Sequence, residues 1–259
     1  MRLTFLGTGS AMPTGHRFQS GLLLADEAHK LLVDCGSGVL HALERTEAGY
    51  EGIDAVLLTH HHLDHVSDLD VLLKARWLAG ATDLTIAGPP GTVDLVEGLL
   101  DLHAYLQGRL DLTVRDVDTD GPFSIAGFDV TALETRHSMQ CFAYRCTPSG
   151  TDGPAIAFSG DSEAFDGLVD FAEGAAVLVH DCSFPDDVDV SNHPTPSQLG
   201  TVLGRGESEP GRVYLTHLYP HTEGRHEQML DSIADHYDGD VRFAEDGLSV
   251  TVQATTTDD

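Results

Sequence analysis

The segment Thr59-His60-His61-His62-Leu63-Asp64-His65 sets four imidazoles and a carboxylate within six positions, directly after the apolar run Ala55–Leu58. Imidazole and carboxylate without thiolate form a donor set for Zn2+, and also suit Mn2+ or Fe2+. Residues two apart in an extended chain project to the same side, so His60 and His62 can converge on one ion. His61 lies between them and is expected to point away as a bystander. Asp64 and His65 fall where the chain turns into a helical stretch, and can face a second ion beside the first. The bland alternative is a polar strand–helix junction. So many ionisable groups beside a buried strand would cost free energy without a partner.

One segment cannot complete two sites. Further ligands are expected at the ends of later strands, where α/β folds gather their chemistry. His137 follows Val130–Leu133, Asp161 follows Ala155–Ala157 in Ser159-Gly160-Asp161-Ser162, and His217 ends Val213–Thr216. Taken singly, each reads as a satisfied polar residue. Taken with the first cluster, they read as ligands.

The elements that must position these residues follow from hydrophobic periodicity. Strands are expected at Arg2–Leu6, Gly21–Leu24, Lys30–Val33, Ala55–Leu58, Leu84–Ala87, Leu112–Asp116, Phe123–Ile125 and Phe128–Leu133. More are expected at Phe142–Arg145, Ala155–Ser159, Val177–Val179, Val213–Thr216, Val241–Phe243 and Ser249–Val252. Helical spacing covers Leu63–Trp77, Thr92–Leu106, Ser197–Leu203 and Glu223–His236. Strands and helices interleave in both halves, with no linker and no tandem repeat. That pattern implies one α/β domain over residues 1–253, each half supplying sheet and helices, and a frayed polar tail over 254–259.

Composition bounds the partners. Lys+Arg number 14 against 42 Asp+Glu, for a net charge of −28. A monomer of this mass exposes roughly 11,000 Å², so most of its surface must be acidic. Such a surface repels nucleic-acid phosphates and anionic lipids at ordinary salt, and suits a salt-loaded, halophilic cytoplasm. No signal peptide and no apolar run of membrane-spanning length is evident, so a cytoplasmic location is expected. Cys35, Cys141, Cys146 and Cys182 form no Cys-x-x-Cys pair and read as reduced structural residues.

The order of motifs resembles the metallo-β-lactamase superfamily, and within it the ribonuclease Z-like branch. His60-x-His62-x-Asp64-His65 is the superfamily signature. The opening Phe5-Leu6-Gly7-Thr8-Gly9-Ser10-Ala11-Met12-Pro13-Thr14 and Val33-Asp34-Cys35-Gly36-Ser37-Gly38 are similar to the branch's first two motifs. Gly88-Pro89-Pro90-Gly91, His137, Ser159-Gly160-Asp161, Val179-His180-Asp181 and Leu215-Thr216-His217 follow in order. The resemblance implies an αββα sandwich with two divalent metal ions, zinc foremost, at one sheet edge. By position, His60, His62 and His137 hold one metal. Asp64, His65 and His217 hold the other, and Asp161 bridges them. Asn192-His193-Pro194-Thr195 is similar to a motif whose histidine contacts the scissile phosphate and assists the leaving group. His193 takes that role here, with a pKa expected near neutrality, and Asp181 is a candidate to orient it. Asp64 doubles as acceptor of the nucleophile's proton. Asp34 and Gly36 are expected to shape the strand end behind the metals, and Gly7 and Gly9 to form a tight turn.

Two departures stand out. The short interval between His137 and Asp161 leaves no room for the inserted arm that grips tRNA in ribonucleases Z. Leu218-Tyr219-Pro220-His221 departs from the branch's Ser-x-Arg-Tyr, leaving open whether His221 replaces the arginine. The implied function is a phosphodiesterase acting on a small phosphodiester or an RNA 3′ end, with no membrane partner; the oligomeric state, a homodimer among its options, is left open. The alternatives are a thioesterase or lactonase on the same fold, and a non-catalytic metal- or partner-binding module.

Overall fold

The computed structural model describes residues 1–151, 153–206 and 210–253. The expected frayed tail, 254–259, lies outside the described residues. The first sheet contains β1 (Arg2–Gly7), β2 (Gly21–Ala25), β3 (Lys30–Val33), β4 (Ala55–Leu57), β5 (Asp83–Gly88) and β6 (Asp111–Asp116). The second contains β7 (Phe123–Ile125), β8 (Phe128–Glu134), β9 (Phe142–Pro148), β10 (Ile156–Phe158), β11 (Val177–Asp181), β12 (Val213–Thr216) and β13 (Val241–Phe243). A last strand, β14 (Ser249–Thr251), returns to the first sheet and pairs antiparallel with β1, Arg2 opposite Thr251. The strand orders are β14-β1-β2-β3-β4-β5-β6 and β13-β12-β11-β10-β9-β8-β7. β3 to β6 run parallel in the first sheet and β10 to β13 in the second, whereas β8, which leads to His137, pairs antiparallel with β9.

The central strands are apolar on both faces because both faces are covered. Leu31, Val33, Ala55 and Leu57 of the first sheet meet Phe142, Tyr144, Ile156, Phe158 and Val179 of the second in the inter-sheet core. Their neighbours Leu32, Val56 and Leu58 face outward, against Val39 and Leu43 of α1 (Val39–Glu44), Leu69, Leu72 and Leu73 of α3 (Leu69–Ala79), and Val96 of α4 (Thr92–Leu102). On the far side Ala157, Leu178 and Leu215 meet α5 (Asp166–Phe171), α6 (Pro196–Leu203) and α7 (His226–Ala234) through Val169, Leu199, Leu203, Met229 and Ile233. This is the expected αββα sandwich. Each fully buried leucine or phenylalanine adds about 1.5–3 kcal/mol.

Several element boundaries differ from the sequence reading. Leu63–Trp77 is two helices, α2 (Leu63–Val66) and α3, broken at Ser67-Asp68. Asp68 is diverted to a tertiary role, its Oδ2 accepting the backbone N–H of Gly38 and Leu40. Thr92–Leu106 ends as α-helix at Leu102, followed by a 3-10 turn at Ala104–Leu106. The last helix begins only at His226. Gly7 and Gly9 do not make a positive-φ turn. They are glycine because a Cβ would lie 1.8 Å and 3.0 Å from the carbonyl oxygens of Gln19 and Phe18. Between His137 and Asp161 the structure holds β9 and β10, paired antiparallel, and no further element among the described residues.

The four cysteines are free and buried. No helix among the described residues is long and apolar enough to cross a membrane. The chain exposes 11337 Å², about 400 Å² for each net negative charge.

Candidate metal centre

The seven residues singled out as ligands converge at one end of the two sheets. The chain leaves β4 extended, so His60 and His62 project together, and their Nε2 and Nδ1 atoms lie 3.0 Å apart. His137, after β8, brings its Nε2 to 3.2 Å from His62 Nδ1. The first turn of α2 carries Asp64 and His65 to the other side. His217 Nε2, after β12, lies 3.1 Å from Asp64 Oδ2. Asp161, after β10, stands between the groups. Its Oδ2 is 3.6 Å from His60 Nε2 and 3.2 Å from His217 Nε2, and its Oδ1 is 3.4 Å from His65 Nε2. Two donor sets result: His60, His62, His137 and Asp161, and Asp64, His65 and His217, each with its ligating atoms within 4.8 Å of one another. Ligand atoms bound tetrahedrally to zinc at about 2.0–2.1 Å stand about 3.3 Å apart, so the observed spacings fit such an ion.

The outer hydrogen bonds fix which nitrogen faces inward. Thr59 Oγ1 donates to Asp34 Oδ2 at 2.8 Å, so at 3.0 Å it accepts from His60 Nδ1. His65 Nδ1 donates to Asp34 Oδ2 at 2.7 Å. Ser183 Oγ donates to Asp181 Oδ1 at 2.5 Å and accepts from His217 Nδ1 at 2.9 Å. His137 Nδ1 donates to the Asn192 carbonyl at 3.3 Å. These four rings carry a proton outward and turn Nε2 into the cluster, whereas His62 presents Nδ1. Asp34 and His217 hold φ of 60° and 58°, a strained region for residues with a side chain. Their side-chain hydrogen bonds hold them there. Gly36 is required behind α2, because a Cβ would lie 2.0 Å from the Asp64 carbonyl oxygen.

Electrostatics favour positive charge at the centre. Burial and the neighbouring His65 hold His60 well below the usual imidazole range, so its lone pair is available. Burial pushes His65 down too, but Asp161 and Asp34 outweigh it and hold that ring well above. Burial works against ionised Asp161, and His217, His65 and His60 overcome it, keeping the carboxyl well below its ordinary value. A metal cation satisfies these carboxylates as a proton does.

His61 points away as expected, its Nε2 2.8 Å from Thr92 Oγ1. His193 sits at the rim of the cluster. Its ring stacks on His217 at 5.2 Å and 15°, and its Nδ1 donates to Asp181 Oδ2 at 2.6 Å. Burial lowers this imidazole, but Asp181 dominates and pushes it up to about 9, above the neutrality expected from sequence. Two residues on, Thr195 caps α6 with Gln198 in a reciprocal box and Pro196 opens the helix, which pins the loop. His193 also lies within ligating distance of Asp161 and His217. Sequence reasoning missed Ser183, Phe184 and Tyr219. Phe184 stacks on Tyr219 at 4.4 Å. Burial, then Asp161, Asp64 and Asp181, push the Tyr219 phenol up to about 12. The exposed His221 has ring contacts with Phe184 and Tyr219, one layer out from the histidine cluster.

Comparison with known proteins places this geometry. The model of the family described as anti-Pycsar protein Apyc1 matches residues 1–232. A protein named ribonuclease Z from Mycobacterium avium is 31% identical, the match covering 98% of this chain and 99% of that one. The probable metallo-hydrolase YhfI of Bacillus subtilis is 30% identical over 96% of this chain and 98% of its own. The crystal structure of YhfI, a metallo-β-lactamase fold protein, superposes with a TM-score of 0.81 at 27% identity, over 96% of this chain and 99% of that one. The short form of human tRNase Z, at 24% identity, shares the fold with a TM-score of 0.78 over 97% and 99% of the two chains. The chain therefore belongs to the metallo-β-lactamase superfamily, in its ribonuclease Z-like branch, and within it to the family described as anti-Pycsar protein Apyc1.

Proposed function

We propose that this chain is a metal-dependent phosphodiesterase with two divalent ions, zinc before manganese or iron, and that residues 1–253 act as one catalytic unit. In this reading His60, His62 and His137 hold one ion, Asp64, His65 and His217 the other, and Asp161 stands between them. Bound ions would supply a water of lowered pKa and positive charge against the phosphate oxygens. The chain's own residues do the rest. Asp64 is a buried carboxylate kept ionised: burial opposes this, and the hydrogen bond from His217 outweighs it. It accepts the nucleophile's proton. His193, its Nδ1 committed to Asp181, donates a proton to the departing alkoxide.

The observation that carries the phosphodiester reading is the His193–Asp181 pair. A thiolate leaves without protonation, whereas a ribose-type alkoxide needs an acid, and a ring raised by Asp181 stands beside the cluster. This speaks against the thioester; direct assay separates the lactone, which also expels an alkoxide. The relatives named ribonuclease Z and tRNase Z support the same bond class. We favour a small phosphodiester over a large RNA because the β9–β10 interval carries no arm and the surface is strongly acidic. The test assays zinc-loaded protein on bis(p-nitrophenyl) phosphate, a lactone and a glutathione thioester. Phosphodiester hydrolysis is expected to dominate. A preparation with its metals bound that turns over only the lactone or the thioester overturns the reading.

A further inference from the structure

The neutral hydroxyl of Tyr219 has no role in the chemistry above, yet it belongs to the same cleft. Tyr219 follows His217 by two residues and sets its ring edge-on to the stacked pair of His217 (5.7 Å, 66°) and His193 (5.9 Å, 62°). It stacks on the ring of Phe184, 4.4 Å away and tilted by 28°, which also touches His193 at 6.1 Å. Phe184 is itself 8% exposed, so the phenol is locked in orientation by a buried neighbour. Among the described residues the Tyr219 hydroxyl has no hydrogen-bond partner. The charges that act on it are Asp161, Asp64 and Asp181, the carboxylates of the centre and of the His193 pair.

Other hydroxyls reach the cluster from its far sides, Ser20 Oγ 3.3 Å from His65 Nε2 and Ser138 Oγ 3.4 Å from His137 Nε2, which leaves Tyr219 for the His217 and His193 side. Among the described residues the arginine ion pairs go to Glu47, Asp166, Asp240 and Asp187, away from the centre. His221 is held off by the Phe184–Tyr219 layer. His193 is used at the leaving group. A phosphate seated between the seven cluster residues presents non-bridging oxygens that need donors, and the fixed, unpaired hydroxyl beside His217 supplies one.

We infer that the Tyr219 hydroxyl donates a hydrogen bond to a non-bridging oxygen of the substrate phosphate, and so acts as a substrate-contacting residue of the site. The inference rests on the phosphodiesterase reading. A hydrogen bond to a charged acceptor is worth ~10–100-fold in affinity. Tyr219→Phe keeps the stack on Phe184 and removes only the donor. With both metals confirmed by elemental analysis, titration calorimetry with inorganic phosphate should show binding ~10–100-fold weaker than wild type. Hydrolysis should fall by a similar factor for p-nitrophenyl and alkyl diesters alike, because the lost contact is not with the leaving group. His221→Ala should leave phosphate affinity unchanged. Unchanged affinity in Tyr219→Phe overturns the inference, and so does a loss confined to alkyl leaving groups. A wild-type protein that binds phosphate but cleaves no phosphodiester would instead overturn the functional reading, and it is seen before any variant is made.

Discussion

Replacing Asp181 by Asn keeps the side-chain volume and removes one negative charge from beside His193. Asp181 is fully buried, its Oδ2 2.6 Å from His193 Nδ1 and its Oδ1 2.5 Å from Ser183 Oγ. Burial alone would lower His193, yet the ring rises from 6.5 to about 9, with Asp181 the largest raising influence. That difference corresponds to about 3 kcal/mol in favour of the protonated ring. Asp161 and Asp64 hold a smaller share. The hydrogen bond from His193 to Asp181 is made whatever occupies the cluster. In Asp181→Asn the largest raising influence is gone, and the ring falls toward its ordinary value. The general acid is then lost at a pH where wild type still has it. The alkaline limb of kcat should move down by about two pH units, and the rate on an alkyl diester at pH 8 should drop ~10–100-fold. Bis(p-nitrophenyl) phosphate, whose leaving group needs little protonation, should be far less affected. Stability follows the same sign. A raised pKa contributes stability that is full below pH 6.5 and lost as pH rises through about 9. The variant's melting-temperature deficit should therefore be larger at pH 6 than at pH 9.5. Superimposable alkaline limbs in wild type and Asp181→Asn, with equal metal content, would refute this account of His193.

His193→Ala should slow alkyl-diester hydrolysis ~10²–10⁴-fold while keeping both metals; metal loss in that variant would make His193 a ligand instead. Asp161→Ala removes the carboxylate of the His60, His62 and His137 set, which also stands 3.4 Å from His65 and 3.2 Å from His217, so elemental analysis should show reduced metal and the phosphodiester assay no turnover. Gly36→Ala places a Cβ 2.0 Å from the Asp64 carbonyl oxygen, and should destabilise the fold by about 1–3 kcal/mol while weakening metal retention. Multimolar KCl should raise the melting temperature by screening the net charge of −28; a flat response from low salt upward would remove that argument.

What the sequence made legible was governed by period and residue type. The His60/His62 convergence and the outward turn of His61 follow from the two-residue alternation of an extended chain, and both hold. The later histidines and Asp161 were placed because ligating residues followed apolar strands. The hydrogen bonds that orient them were not legible. Ser183 reaches His217 across the fold, 34 positions away, with nothing local to mark it. Asp34 was placed behind the metals, but not as the acceptor for both Thr59 and His65. The break between α2 and α3 was hidden because Asp68 is recruited by distant backbone groups of Gly38 and Leu40. The helices α1 and α5, six residues each, are too short for a helical period to emerge from one strand-rich stretch.

The return of β14 to the edge of β1 has a consequence for how the molecule is made. In chain order β1 is completed by β14, Arg2 opposite Thr251, with every other described strand made in between. Close to that strand, Asp246 takes the backbone N–H of Thr8 at 2.9 Å and that of Phe18 at 2.6 Å. Those loops carry Gly9, which bridges to Leu218 beside His217. Until residues 246–251 have emerged, β1 keeps an open edge and the loops beside the site lack their hydrogen bonds to Asp246. Contacts this distant in sequence form slowly, and an unpaired strand edge invites intermolecular pairing meanwhile. The same acidic excess that surrounds the finished molecule keeps unfinished chains apart during that wait. Closure of the first sheet is thus a late event, reached only when β14 takes its place beside β1.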